Sequence, residues 1–107
     1  AAIVGAIIAA RMARVPVILD GFATTAAAAI LYKLGDRLLD HTVVGHLSAE
    51  PSHTRLLREI DKLPLLDLGM RLGEASGAVL ALSLLRAAAA YHTDMSTFSE
   101  AGVSNKA

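Results

Sequence analysis

The chain contains no cysteine and no tryptophan. Without cysteine there can be no disulfide framework, no thiolate zinc knuckle and no thiol nucleophile. Nor is there an excess of charge, because ten Lys and Arg stand against ten Asp and Glu. A protein with no net field has little to attract nucleic acid or an anionic membrane surface. Long apolar runs are missing too. The mean hydropathy of +0.52 is high, yet the longest apolar stretches, residues 1–10 and 21–32, are rich in Ala and Gly. Both fall short of the roughly 18 residues that a span requires. Residues 1–10 lack a basic start, and no cleavage pattern follows them. These absences leave a soluble α/β or α domain, expected to be intracellular.

Aromatic residues are scarce, with two Tyr and two Phe, while Ala fills about a fifth of the 107 residues. Small side chains let helices approach closely at little cost in side-chain entropy. They also bury little apolar area each, so the chain is expected to lean on a partner surface. Its length suits one domain with a real core. The start at Ala1-Ala2-Ile3 reads as internal to a longer protein.

Local patterns predict an apolar helix over 1–13, covered on both sides. Val15 to Leu19 reads as a buried strand with Pro16 near its start. Thr24 or Thr25 is placed to cap a helix reaching about Leu39. Thr42 to Gly45 is a weaker strand, and Pro51 suits the first turn of a helix running to about Asp61. Pro64 breaks that helix, and residues 65–72 form an apolar connector that could be helical. Gly73 to Gly77 opens a long helix to about Thr93, and a short helix follows over 95–101. The alternation predicts an α/β fold: one unit over 1–107, with a parallel α/β part over about 1–62 and a helical part over about 63–107.

Ligands gather outside the carboxyl ends of strands in such sheets. One end is Asp20-Gly21-Phe22, the other Gly45-His46-Leu47-Ser48-Ala49-Glu50. The second leads into a helix whose first amides lack intrahelical partners. With the Ser48 hydroxyl they could hold a phosphate, although Ser48 or Glu50 could equally be an ordinary cap. Glu74 lies between two glycines in the first turn of a helix, with Gly73, Ala75 and Gly77 all small. A flat ligand could approach there, and the carboxylate could act as a general base; an ordinary acidic first-turn residue is the alternative. His41, His46 and His53 match no zinc spacing, so no metal is expected, and they read as solvated or hydrogen-bonded histidines. No Walker loop, dinucleotide fingerprint or Ser-His-Asp order is present.

Four segments carry a more specific signal: VPVILDGFATTAAA, GHLSAEPSH, LPLLDLGMRLGEASGAVLAL and MSTFSEAGVS. In this order and spacing they resemble the C-terminal third of nicotinate-nucleotide:dimethylbenzimidazole phosphoribosyltransferases, over nearly the whole chain. The resemblance implies a Rossmann-like, three-layer α/β/α portion with a C-terminal helical extension, in a homodimeric enzyme of the bacterial cytoplasm. It implies transfer of the phosphoribosyl group of nicotinate mononucleotide to 5,6-dimethylbenzimidazole, with no cofactor and no metal. The products are nicotinate and α-ribazole 5′-phosphate, a precursor of the lower ligand of cobalamin. By the same resemblance Glu74 is the base, and Ser48 and Ala49 hold the 5′-phosphate. Leu72 and Gly73 line the nucleotide or base pocket, and Asp20 and Gly21 sit near the ribose or nicotinate. Position 75 is Ala where the family often has Gly, which matters only if the backbone there needs a positive φ. The family's first two thirds is absent, so the isolated 107 residues are expected to be inactive. Two other readings are a non-catalytic module that docks onto a partner chain, and a family member using a different acceptor base.

Overall fold

Short apolar runs without polar alternation need cover on both faces, and helices supply it here. The computed structural model describes residues 1–104. In chain order it comprises α1 (Ala2–Met12), β1 (Val17–Leu19), α2 (Phe22–Leu34), a 3-10 helix (Asp36–Leu39), β2 (Thr42–His46), α3 (Pro51–Glu59), β3 (Pro64–Leu66) and α4 (Ser76–Asp94). The strands form one parallel sheet in the order β1-β2-β3. Leu19 pairs with Val44, and Val44 with Pro64.

Alternation along the strands decides what each face meets. Leu19 and Val44 point to one side, into a cluster with Ile7, Ala28, Leu31, Leu39, Leu57 and Ile60. That core is therefore shared by α1, α2, α3 and the 3-10 helix. Ile18 and Gly45 point to the other side, under α4. A Cβ on Gly45 would lie 3.0 Å from Ala78 Cα and 3.1 Å from Ile18 Cγ2, so the missing side chain is what lets α4 approach. Lys62 fastens the far end of the sheet: its Nζ donates to the carbonyls of Leu39, at 3.0 Å, and Thr42, at 2.8 Å. Burial pushes the Lys62 ammonium below its ordinary range, and Asp40 and Asp61 oppose that.

Several expectations are corrected. Helix α1 is covered on one side only: Ile7 is buried while Ile3 and Ile8 are exposed. Helix α2 starts at Phe22, two residues ahead of the expected cap, and stops at Leu34, after which residues 36–39 rewind as a 3-10 helix. Helix α3 ends at Glu59, because Asp61 turns to φ 52°. The 65–72 connector is not helical, and its start belongs to β3. Short apolar runs fit either period, and the free edge of β2 decides the outcome, with Leu47 N–H donating to Leu66 O at 2.7 Å. The sheet therefore continues past residue 62, and the first half of α4 packs onto it through Gly77 and Ala81. The second half of α4 projects away as the helical extension, with residues 86–94 all exposed. Residues 95–101 hold a single turn instead of a helix, closed by Ala101 N–H to Thr97 O at 2.9 Å and by Thr97 pairing with Glu100. The final stretch of the expected unit, 105–107, lies outside the described residues.

Candidate functional site

The carboxyl ends of β1 and β2 lie side by side, as parallel pairing requires. A cleft of about 370 Å³ opens beyond them. Asp20, Gly21, Ser48, Gly73 and Glu74 all line it, joined by His46, Arg71 and the first turn of α2. The two remaining expected residues, Ala49 and Leu72, do not line it; Leu72 is exposed.

Asp20 follows directly on β1 and is mostly buried. Its Oδ1 accepts the N–H of Ala78 in the first turn of α4 at 3.0 Å. The cap position of α4 is Ala75, which has no side chain able to cap. Asp20 thus caps α4 from 58 positions away in the sequence and ties the end of β1 to the loop that carries Glu74.

That loop is unusual. Gly73, Glu74 and Ala75 have φ of 78°, 53° and 63°, three consecutive left-handed residues. Such a conformation costs a residue with a Cβ about 1–2 kcal/mol, and strained backbone of this kind collects at functional sites. Glu74 therefore precedes α4 instead of lying in its first turn. Its carboxylate is exposed and, among the described residues, makes no hydrogen bond or ion pair.

The loop from β2 into α3 behaves differently. Ser48 N–H donates to His53 Nδ1 at 3.0 Å, Ala49 N–H to Met70 O at 2.9 Å, and Glu50 N–H to Ser48 Oγ at 3.2 Å. The amides just ahead of α3 are therefore engaged, and of the helix's own first residues Pro51 has no N–H and His53 N–H donates to Glu50 O at 2.9 Å. What Ser48 retains is its hydroxyl hydrogen. Amides without intrahelical partners also sit at the start of α2, at Phe22, Ala23 and Thr24, where the first turn lines the cleft. Arg71 supplies a cation at the rim and pairs with Glu50 at 3.3 Å, an exposed contact worth little to stability.

The histidines go to three different places. His41 Nε2 bonds the carbonyl of Ile7 at 2.9 Å, at the opposite end of β2. His46 is buried, not solvated, and neither ring nitrogen has a hydrogen-bond partner among the described residues. Its Nε2 lies 3.7 Å from Asp20 Oδ1, and its ring packs flat on Gly77, where any Cβ would overlap it. His53 is fully buried between Ser48 and Thr25. Burial and the neighbouring His46 push its pKa below the ordinary value, while Asp20 opposes them. Among the described residues no cluster of three or more His, Asp or Glu could hold a metal ion. Sequence reasoning missed the roles of His53, Gly77 and Arg71. One signal was available for the first: His53 stands four residues before Leu57, on the inward stripe of α3.

A phosphoribosyltransferase family profile matches residues 1–103. The nicotinate-nucleotide–dimethylbenzimidazole phosphoribosyltransferase of Sinorhizobium medicae is 58% identical over 106 residues, 99% of this chain and 31% of that protein. The enzyme of the same name from Methylocella silvestris is 58% identical over the same length. The crystal structure of the Thermus thermophilus enzyme superimposes with a TM-score of 0.86 at 49% identity, covering 98% of this chain and 32% of that one. The chain spans about a third of the length of the relatives it matches. No helix among the described residues is long and apolar enough to cross a membrane.

Proposed function

This chain belongs to the nicotinate-nucleotide–dimethylbenzimidazole phosphoribosyltransferase family, and from that premise we propose that it forms the base-bearing part of a transferase site. The reaction moves the phosphoribosyl group of nicotinate mononucleotide to 5,6-dimethylbenzimidazole, giving nicotinate and α-ribazole 5′-phosphate for cobalamin synthesis. The observation that carries this reading is the convergence of Asp20, Ser48 and Glu74, from three separate segments, on one cleft at the strand ends.

In the proposed mechanism one benzimidazole nitrogen attacks C1′ of the ribose from the face opposite nicotinate. The C1′–N bond to nicotinate breaks, and its electron pair returns to the ring nitrogen, neutralising the pyridinium. The proton on the other benzimidazole nitrogen passes to the Glu74 carboxylate. Inversion at C1′ accounts for the α linkage. The 5′-phosphate sits between the Ser48 hydroxyl and the free amides of α2, with Arg71 at the rim. Ala49 holds the Met70 segment in place, Gly73 leaves room for the ring, and exposed Leu72 is available to cover it. Asp20 and Gly21 face the ribose or nicotinate. The reaction calls on no cofactor or metal, and we place it in a bacterial cytoplasm, in a homodimer.

The test is a chimera in which these 107 residues replace the matching third of the Sinorhizobium medicae relative, assayed for α-ribazole 5′-phosphate. The chimera is expected to turn over. Glu74→Gln in it should cut turnover about 10²- to 10⁴-fold, the usual contribution of a general base, with nucleotide binding largely kept. Unchanged turnover would remove Glu74 from the base role. Orientation supplies much of such catalysis, so the 107 residues alone should bind without turning over.

A second reading, a module docking onto a partner chain, draws on the apolar residues that α4 leaves exposed, Val79, Leu80, Leu82 and Leu84. A molecular mass rising with concentration, without any nucleotide binding, would favour it. Use of another acceptor base would show in the chimera as turnover with that base and none with dimethylbenzimidazole.

A further inference from the structure

Two loops frame the cleft, and a chain of hydrogen bonds runs between them through the interior. Ser48 N–H donates to His53 Nδ1 at 3.0 Å. A backbone N–H can only donate, so Nδ1 is the acceptor and the ring proton of neutral His53 resides on Nε2. Nε2 faces Thr25 Oγ1 at 2.9 Å and therefore donates to it. Thr25 in turn donates its hydroxyl hydrogen to the carbonyl of Gly21 at 2.8 Å, since a carbonyl can only accept. Every step has one permitted direction. His53 and Thr25 are both fully buried and lie outside the cleft, whereas Ser48 and Gly21, the two ends of the chain, line it. An aliphatic pair would fill the same space between α2 and α3 without the cost of burying polar groups. What the polar pair adds is a fixed relation between two loops from different strands.

We propose that His53 and Thr25 are positioning residues whose hydrogen-bonded pair sets the Ser48 loop against Gly21, and so fixes the geometry in which the nucleotide is held. The last clause rests on the functional reading above; the coupling of the loops does not. The relay engages the Ser48 amide, which leaves the hydroxyl as the donor this residue presents. The pair also aligns the Ser48 hydroxyl with the α2 amides across the cleft.

The experiment uses the isotope-labelled 107-residue chain and three NMR readouts. Long-range proton–nitrogen correlation of the His53 ring should show the Nε2–H form; the Nδ1–H form or an even mixture would overturn the proposal. Exchange of the Ser48 amide should quicken about tenfold in Thr25→Val, as the loss of one buried hydrogen bond implies, and return close to the original rate in Thr25→Ser. Equal exchange in both variants overturns it. His53→Asn, which keeps an acceptor near Nδ1, should protect the Ser48 amide better than His53→Gln, which keeps only the donor toward Thr25. Titration with nicotinate mononucleotide then separates the two claims. Binding that weakens about tenfold in Thr25→Val but not in Thr25→Ser, matching the exchange, supports both. Binding that is equal in the two variants overturns the positioning role in substrate capture. No binding by the unaltered chain, with the relay intact, removes the nucleotide reading for this chain and leaves the coupled loops established.

Discussion

Helices α3 and α4 are entered in opposite ways. The approach to α3 is fully hydrogen-bonded: the amides of residues 47–50 all have partners, in α3, in the loop itself and in the segment from Leu66 to Met70, and Pro51 supplies a pre-set first turn. The approach to α4 is strained and borrowed. Three left-handed residues lead in, the cap position is an alanine, and the carboxylate that serves the first turn belongs to Asp20 on another strand. The exposed carboxylate of Glu74 sits on the strained approach, and the Ser48 hydroxyl on the settled one. A phosphate needs fixed donors. A base that must meet an incoming ring needs an unsatisfied group held clear of the backbone.

The comparison can be broken most forcefully at Gly77. Its replacement by Ala drives a methyl group into the buried His46 ring and should cost about 3 kcal/mol, read as a lower midpoint in urea. Asp20→Ala removes the borrowed cap and should cost about 1.5–3 kcal/mol, as expected for a hydrogen bond to a charged group, while Asp20→Asn keeps an acceptor and costs less. A urea midpoint unmoved in Asp20→Ala would show that α4 caps itself.

Acid is expected to loosen the α3 side. The folded pKa of His53 lies below its ordinary value near 6.5, through burial and His46, against the opposing Asp20. The neutral ring therefore contributes stability that is fully present above about pH 6.5. It is lost as pH falls from there through the lower folded value, because the unfolded chain takes up the proton first. His53→Gln should flatten that part of the stability profile, and an unchanged slope would assign it to other groups. The smallest effect is at Ala75. Its φ of 63° favours glycine, so Ala75→Gly should stabilise by less than about 1 kcal/mol, relief of strain being offset by a more flexible unfolded chain.

Much of this was legible in the residues. The apolar run from Val15 to Leu19 announced a buried strand and Thr42 to Gly45 a weaker one, each within two residues of its observed bounds, and the turns after them announced the cleft. Strand β3 was not legible: Pro64 to Leu66 has too few residues to show a period, and its pairing depends on β2. The left-handed run was half-written, since Gly73 signals a positive φ but Glu74 and Ala75 do not. Their conformation leads into a helix start that is held from elsewhere, by Asp20 on Ala78, which no local pattern reveals. The state of the amides of residues 48–50 was hidden for a related reason. A sequence shows that a loop amide needs a partner, but not that a buried ring on the next helix or a carbonyl about twenty residues on will claim it.

The cap that Asp20 provides also has a kinetic side. Bringing residues 58 positions apart together costs roughly 3.6 kcal/mol of loop-closure entropy as (3/2)RT ln n. One charged hydrogen bond returns about 1.5–3 kcal/mol. The contact cannot nucleate itself and must wait until β1 and β2 have paired and α4 has docked on Gly45. The loop bearing Glu74 is therefore expected to order after the sheet during folding. When the protein breathes it is also expected to be among the first parts to open.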